Sequence, residues 1–218
     1  MLIDRGADPT AQNRDGQTPL HLASHVGQVD MARMLIERGA DCTDHNRDGQ
    51  TPLHLASLAG QVDVARMLID SSADRTAHSR DGHTPLHLAS HVGQVDMARM
   101  LIDSGADRTA WNRDGQTPLH LASYVGQVDM ARMLIERGAD RTAHNRDRHT
   151  PLHLASLAGQ VDVARMLIDS GADLTAWNRD GQTPLHLASH AGQVDVARML
   201  IERGVHPTTL NRDGRTPS

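Results

Sequence analysis

Thr18-Pro19-Leu20-His21-Leu22-Ala23-Ser24 returns unchanged from Thr51, Thr84, Thr117, Thr150 and Thr183, always 33 residues further along. Gly-Gln-Val-Asp keeps the same step, beginning at Gly27, Gly60, Gly93, Gly126, Gly159 and Gly192. A fixed period of this length marks a chain built from stacked supersecondary units. A longer copy lies over it. The residues after the first motif read His25-Val26, Leu58-Ala59, His91-Val92, Tyr124-Val125, Leu157-Ala158 and His190-Ala191. Units one and four share Glu-Arg-Gly-Ala-Asp, from Glu37 and Glu136, so a block of 99 residues reads as copied once. Val26, Val92 and Val125 accompany Met31, Met97 and Met130, while Ala59, Ala158 and Ala191 accompany Val64, Val163 and Val196. That pairing is expected of packing layers inherited together, and shared ancestry alone gives the same pattern.

One unit translates directly into local structure. Asn13-Arg14-Asp15-Gly16 is a turn signal, with Gly16 free to take positive φ. Thr18 fits the N-cap and Pro19 the first helical position, where a missing N–H costs nothing. A short helix to about His25 is ended by Gly27. Asp30 then sits in the first turn of a second helix, where negative charge is favoured. Val29, Met31, Ala32, Leu35 and Ile36 supply its apolar side, and Gly39 its C-terminal cap. Helices of about eight residues do not stand alone in water. They require neighbours above and below, as in a solenoid.

These motifs, with Gly-Ala-Asp at Gly6, Gly39, Gly105, Gly138 and Gly171, resemble the ankyrin repeat over essentially the whole chain. The resemblance implies an all-α solenoid of helix-turn-helix units with β-turn fingers, elongated and slightly curved, whose fingers and first helices form a concave face that receives a protein. It also implies a structural hydrogen-bonding role for the motif histidines His21, His54, His87, His120, His153 and His186. The sequence departs from the family where Thr43 and Thr76 replace the usual Asn, and where Arg75, Arg108 and Arg141 replace an apolar residue. Arg148 stands where the turn glycine belongs and Ser72 where the helix-ending glycine belongs. If both keep positive φ, each is expected to cost about 1 kcal/mol.

The expected organisation is a single array: a partial repeat over 1–12, six complete repeats over 13–210 and a partial repeat over 211–218. Neither end reads as a polar capping repeat, so the chain is expected to be an excerpt of a longer array. Exposed apolar ends also allow head-to-tail self-association, a heterologous contact.

Composition narrows the function. The 218 residues hold no Phe, one Tyr and two Trp, so the core must be aliphatic. A net charge of −5 gives no footprint for nucleic acid. No apolar run is long enough for a membrane, and Asp4 and Arg5 interrupt any signal-peptide pattern. The single cysteine, Cys42, excludes an internal disulfide framework. A cytoplasmic or nuclear protein is expected.

Fifteen histidines invite a metal reading, and His83 with His91 is the pair expected to approach. No Cys-x-x-Cys spacing is present and no set of four ligands can be assembled, so no metal and no cofactor is expected. Ser24 and its copies fit a packing position better than a nucleophile. No phosphate loop is present, and Asp30, Asp63 and Asp96 fit weak pairs with Arg33, Arg66 and Arg99. No enzyme is expected.

The variation falls elsewhere, in three columns. Before the turn stand Gln12, His45, His78, Trp111, His144 and Trp177; after it stand Gln17, Gln50, His83, Gln116, His149 and Gln182; ending the first helix stand His25, Leu58, His91, Tyr124, Leu157 and His190. In ankyrin-like stacks these share the concave face. All three aromatic residues fall in this set, and Trp and Tyr are frequent interface anchors. The expected partner-binding residues are therefore His45, His78, His83, His91, Trp111, Tyr124, His144, His149, Trp177 and His190. Helices packed about 10 Å apart give a platform about 60 Å long, ample for about 800 Å² per partner. The leading expectation is a module that binds another protein. The alternative is a spacer or self-stacking scaffold, and the histidines open a third reading, pH-sensitive binding.

Overall fold

The computed structural model describes residues 8–217, and every regular element among them is an α-helix. Twelve helices follow as six pairs: α1 Pro19–Val26 and α2 Val29–Glu37, α3 Pro52–Ala59 and α4 Val62–Asp70, α5 Pro85–Val92 and α6 Val95–Asp103, α7 Pro118–Val125 and α8 Val128–Glu136, α9 Pro151–Ala158 and α10 Val161–Asp169, α11 Pro184–His190 and α12 Val194–Glu202. The described residues form two compact units, 8–89 with Gln94–Arg113, and Ser90–Gly93 with 114–217.

Inside each unit the packing is layered. In the first, α1 lies on α3, and α2 on α4, which in turn meets α6. In the second, α7, α9 and α11 pack in series, as do α8, α10 and α12. The seams are filled by the motif leucines and alanines: Leu53, Ala56, Leu68, Leu119, Ala122, Leu134, Leu152, Ala155 and Leu167 have no exposed surface. Each buried leucine contributes about 1.5–3 kcal/mol, which is what helices of 8 or 9 residues lack by themselves. The inherited pairs divide at this level. Met97, Met130, Val64, Val163 and Val196 are buried, whereas Val26 and Val92 face solvent. Their position lies past the last buried turn of the first helix, so the pairing at those two sites is not a shared core layer.

Caps set the frame. Thr117 has an extended backbone and Pro118 opens α7; the Thr117 Oγ1 accepts the His120 N–H at 3.4 Å. Gly126 ends α7 in the left-handed region at φ 90°. The side-chain amide of Gln160, from the next repeat, lies where a Cβ on Gly126 would stand and donates to the Tyr124 carbonyl at 3.3 Å. Gly-Gln is thus one device, a bare helix end and the plug that covers it. The second helix closes on a Schellman motif: Gly39 N–H reaches the Ile36 carbonyl at 2.9 Å and Ala40 N–H the Leu35 carbonyl at 3.0 Å. Ala40 is buried, and the Asp41 Oδ1 then accepts from the Thr43 amide at 2.8 Å and its hydroxyl at 2.7 Å. Those two donors hold the Asp41 carboxyl below its ordinary range and give the threonine at this position its role. The second-helix ion pairs expected at Asp30, Asp63 and Asp96 form elsewhere: among the described residues the spacing closes at Asp195–Arg198, 3.7 Å apart and exposed. A solvated pair of this kind contributes at most about 1 kcal/mol, too little to fix its geometry.

Ser72 and Arg148 take positive φ, 73° and 60°. At 148 the guanidinium residue occupies the turn that Gly49 and Gly115 form at φ 70° and 71° elsewhere. Arg148→Gly is expected to stabilise the protein by about 1 kcal/mol, read as a raised urea midpoint with unchanged slope. A lowered midpoint would contradict the strain assigned to this turn.

Candidate functional site

The loop from Asn46 to Gln50, and its copies, is called a finger here. Asn46 organises it from inside: its N–H donates to the Gln50 carbonyl at 2.9 Å, and its Oδ1 accepts the amides of Asp48 and Gln50 at 3.0 and 2.9 Å. Successive fingers are joined by main-chain bonds. Arg47, Arg80 and Arg113 donate to the carbonyls of Asp15, Asp48 and Asp81 at 2.9, 2.8 and 2.9 Å. In the second unit Arg146 and Arg179 do the same to Asp114 and Asp147, at 3.0 and 2.8 Å.

Within each unit, motif histidines tie a finger to the helix of the repeat before it. His120 accepts the Thr117 N–H on Nδ1 at 3.2 Å, with the Thr117 hydroxyl at 2.9 Å from the same atom. With Nδ1 accepting, the proton resides on Nε2, which donates to the His149 carbonyl at 3.0 Å. His54 and His153 repeat the arrangement toward the carbonyls of His83 and Gln182, at 2.9 and 3.1 Å. All three rings are fully buried. Desolvation pushes them down to about 4, against the pull of these carbonyls toward the charged form. They are neutral frame members, as the resemblance implies.

The predicted partner-binding residues lie around this frame. In the first unit His45 and His78 are exposed, each with Nδ1 at 2.9 Å from the carbonyl across its own turn, that of Gly49 and Gly82. His83 is half-buried, its ring 5.8 Å from that of His87 and its Nε2 3.1 Å from Asn112 Nδ2. Trp111 is 64% exposed. In the second unit Tyr124 and Trp177 are 50% and 48% exposed, and His91, His144 and His190 are open to solvent. The structure brings two of the three columns together there. Asp114, Gln116, Arg146, Asp147, His149 and Arg179 of the fingers face Leu154 and Leu157 of α9 across a groove of about 520 Å³. Among the described residues no three of His, Cys, Asp and Glu converge in a way that could hold a metal ion. No helix of the described residues is long and apolar enough to cross a membrane.

Compared with models of known protein families, the sequence matches the one described as ankyrin repeats (3 copies) over residues 1–78, 71–145 and 138–211. The chain belongs to the ankyrin-repeat family. Ankyrin repeats are in general protein–protein interaction modules and are typically not enzymes. A search of curated proteins returned no match. The groove charges Asp114, Arg146, Asp147 and Arg179 are what the sequence reading of this ankyrin array overlooked. They recur in every repeat, and a search for variable columns passes over residues that do not vary.

Proposed function

We propose that this ankyrin-repeat chain binds another protein through the fingers and first-helix ends, using His45, His78, His83 and Trp111 in the first unit and His91, Tyr124, His144, His149, Trp177 and His190 in the second. The observation that carries the reading is the exposure of all three aromatic side chains in a protein that uses none in its core. A core role for the rings would have hidden them. Large rings left in water at the variable positions favour an interface, where Trp and Tyr anchors are each worth about 2 kcal/mol or more.

The test is capture of a partner by the full chain, repeated with Trp111→Ala, Tyr124→Ala and Trp177→Ala combined. Capture is expected to fall at least about thirtyfold, with melting unchanged because the rings are solvated. Undiminished capture, or a collapse of melting with it, overturns the assignment. The competing reading, a self-stacking scaffold, draws on the outer side of α11–α12, where Val194 and Ile201 stand 63% and 44% exposed beside an apolar hollow. The occupant on that reading is the α1–α2 pair of a second copy, which offers the same helix faces that the other pairs stack upon. Sedimentation of the same full chain across concentrations separates the two, since a monomer throughout removes the scaffold.

A further inference from the structure

We propose that His149 and Asn178 form a proton-sensitive joint between the fifth and sixth fingers, through which acidity regulates the recognition groove of the second unit. The consequence for binding rests on the function proposed above; the joint itself does not.

The side-chain amide of Asn178 cannot turn over. Asn178 Oδ1 accepts the backbone amides of Asp180 and Gln182 at 3.0 and 2.8 Å. Its Nδ2 therefore faces the other way, 3.2 Å from Gln182 Oε1 and 3.0 Å from His149 Nε2. An NH₂ group only donates, so His149 Nε2 must be bare and the ring neutral, with its proton on Nδ1. That is the opposite tautomer to the motif histidine His120. Where glutamine follows the turn, the bond stays within one finger: Asn13 and Asn46 donate to Gln17 and Gln50 at 3.1 and 3.2 Å. Histidine reaches further, to the asparagine 29 residues on. The same span joins His83 and Asn112 in the first unit, at 3.1 Å.

His149 is held on both sides, since its carbonyl takes the His120 Nε2–H at 3.0 Å while its ring takes Asn178. The ring of His153 lies 5.7 Å away, and His120 and His144 are the other imidazoles in this neighbourhood. Asp114, Asp147, Arg146 and Arg179 line the groove with it, and Asp180 acts on it from the sixth finger. Burial holds the imidazole below its ordinary range, and the carboxylates of Asp147 and Asp180 oppose that shift. A proton added to Nε2 would set one donor against another. The amide has no way to answer, because both its backbone partners already hold Oδ1. The joint then parts, and the charged ring has two carboxylates to turn toward.

The experiment uses the full chain without a partner. Ring-nitrogen NMR is expected to show His149 protonated on Nδ1 and bare on Nε2 at neutral pH, titrating below about 6.5. Amide exchange, corrected for its intrinsic pH dependence, is expected to show Arg179, Gly181 and Gln182 opening about tenfold more often per pH unit between 6.5 and the ring's own midpoint. His149→Gln installs the residue found at Gln182 and is expected to flatten that slope. An Nε2–H tautomer, a midpoint at or above 6.5, or an equal slope in H149Q overturns the proposal. The NMR result stands on the wild-type chain even if H149Q folds poorly. Because no partner is present, a failed joint leaves protein binding intact, and failed capture leaves the joint intact.

Discussion

Lowering the pH from 7.5 to 5.5 is expected to remove about 4 kcal/mol of stability through His54, His120 and His153 alone. All three rings sit near 4 in the folded chain against an ordinary value of 6.5. Between those values the unfolded chain takes up protons that the native frame refuses, so stability is complete above 6.5 and drains as pH falls. Each ring contributes about 1.4 kcal/mol per pH unit in that window, and the loss levels off only below 4. Small domains hold about 5–15 kcal/mol in total, so this drop is large. Urea midpoints at the two pH values give the check. Equal midpoints would mean that the rings accept protons in place, against the hydrogen bonds that occupy both nitrogens.

The second large effect belongs to one of the same residues. His120→Ala is expected to cost about 3–5 kcal/mol. The substitution opens a cavity in a fully buried site and strips partners from the Thr117 N–H and the His149 carbonyl. Thr117 is buried, so its N–H has no water to turn to. The exposed His144→Ala is the control and should stay within about 0.5 kcal/mol of wild type. The H120A chain should also show a shallower loss of stability on acidification, since one depressed imidazole is gone. A wild-type urea midpoint for H120A would remove the motif histidine from the frame.

Much of this was legible in the residues themselves. Thr18-Pro19, Gly27 and Gly39 mark helix boundaries because capping is a local matter of a few neighbouring atoms, and the helices fall there within a residue. Ser72 and Arg148 could be read as left-handed from their places in the repeat. The exposure of Trp111 and Trp177 follows from Gln and His at equivalent sites. What stayed hidden is every bond that crosses a repeat. Nothing near His21 in sequence announces that its Nε2 meets the Gln50 carbonyl at 3.0 Å. Nothing near His149 points to Asn178. Likewise, Asp30 and Arg33 have the right spacing for an ion pair, but spacing sets opportunity and solvent decides the outcome.

The recurring links between fingers use peptide groups: an arginine amide meets an aspartate carbonyl in both units. A bond of that type is indifferent to which side chain sits beside it. The positions flanking each turn can therefore be exchanged for other residues while the spacing of the loops is preserved, so variants with new surfaces should inherit a ready-made scaffold. This separation of frame from surface would let copied repeats diverge in what they recognise without first having to relearn how to fold.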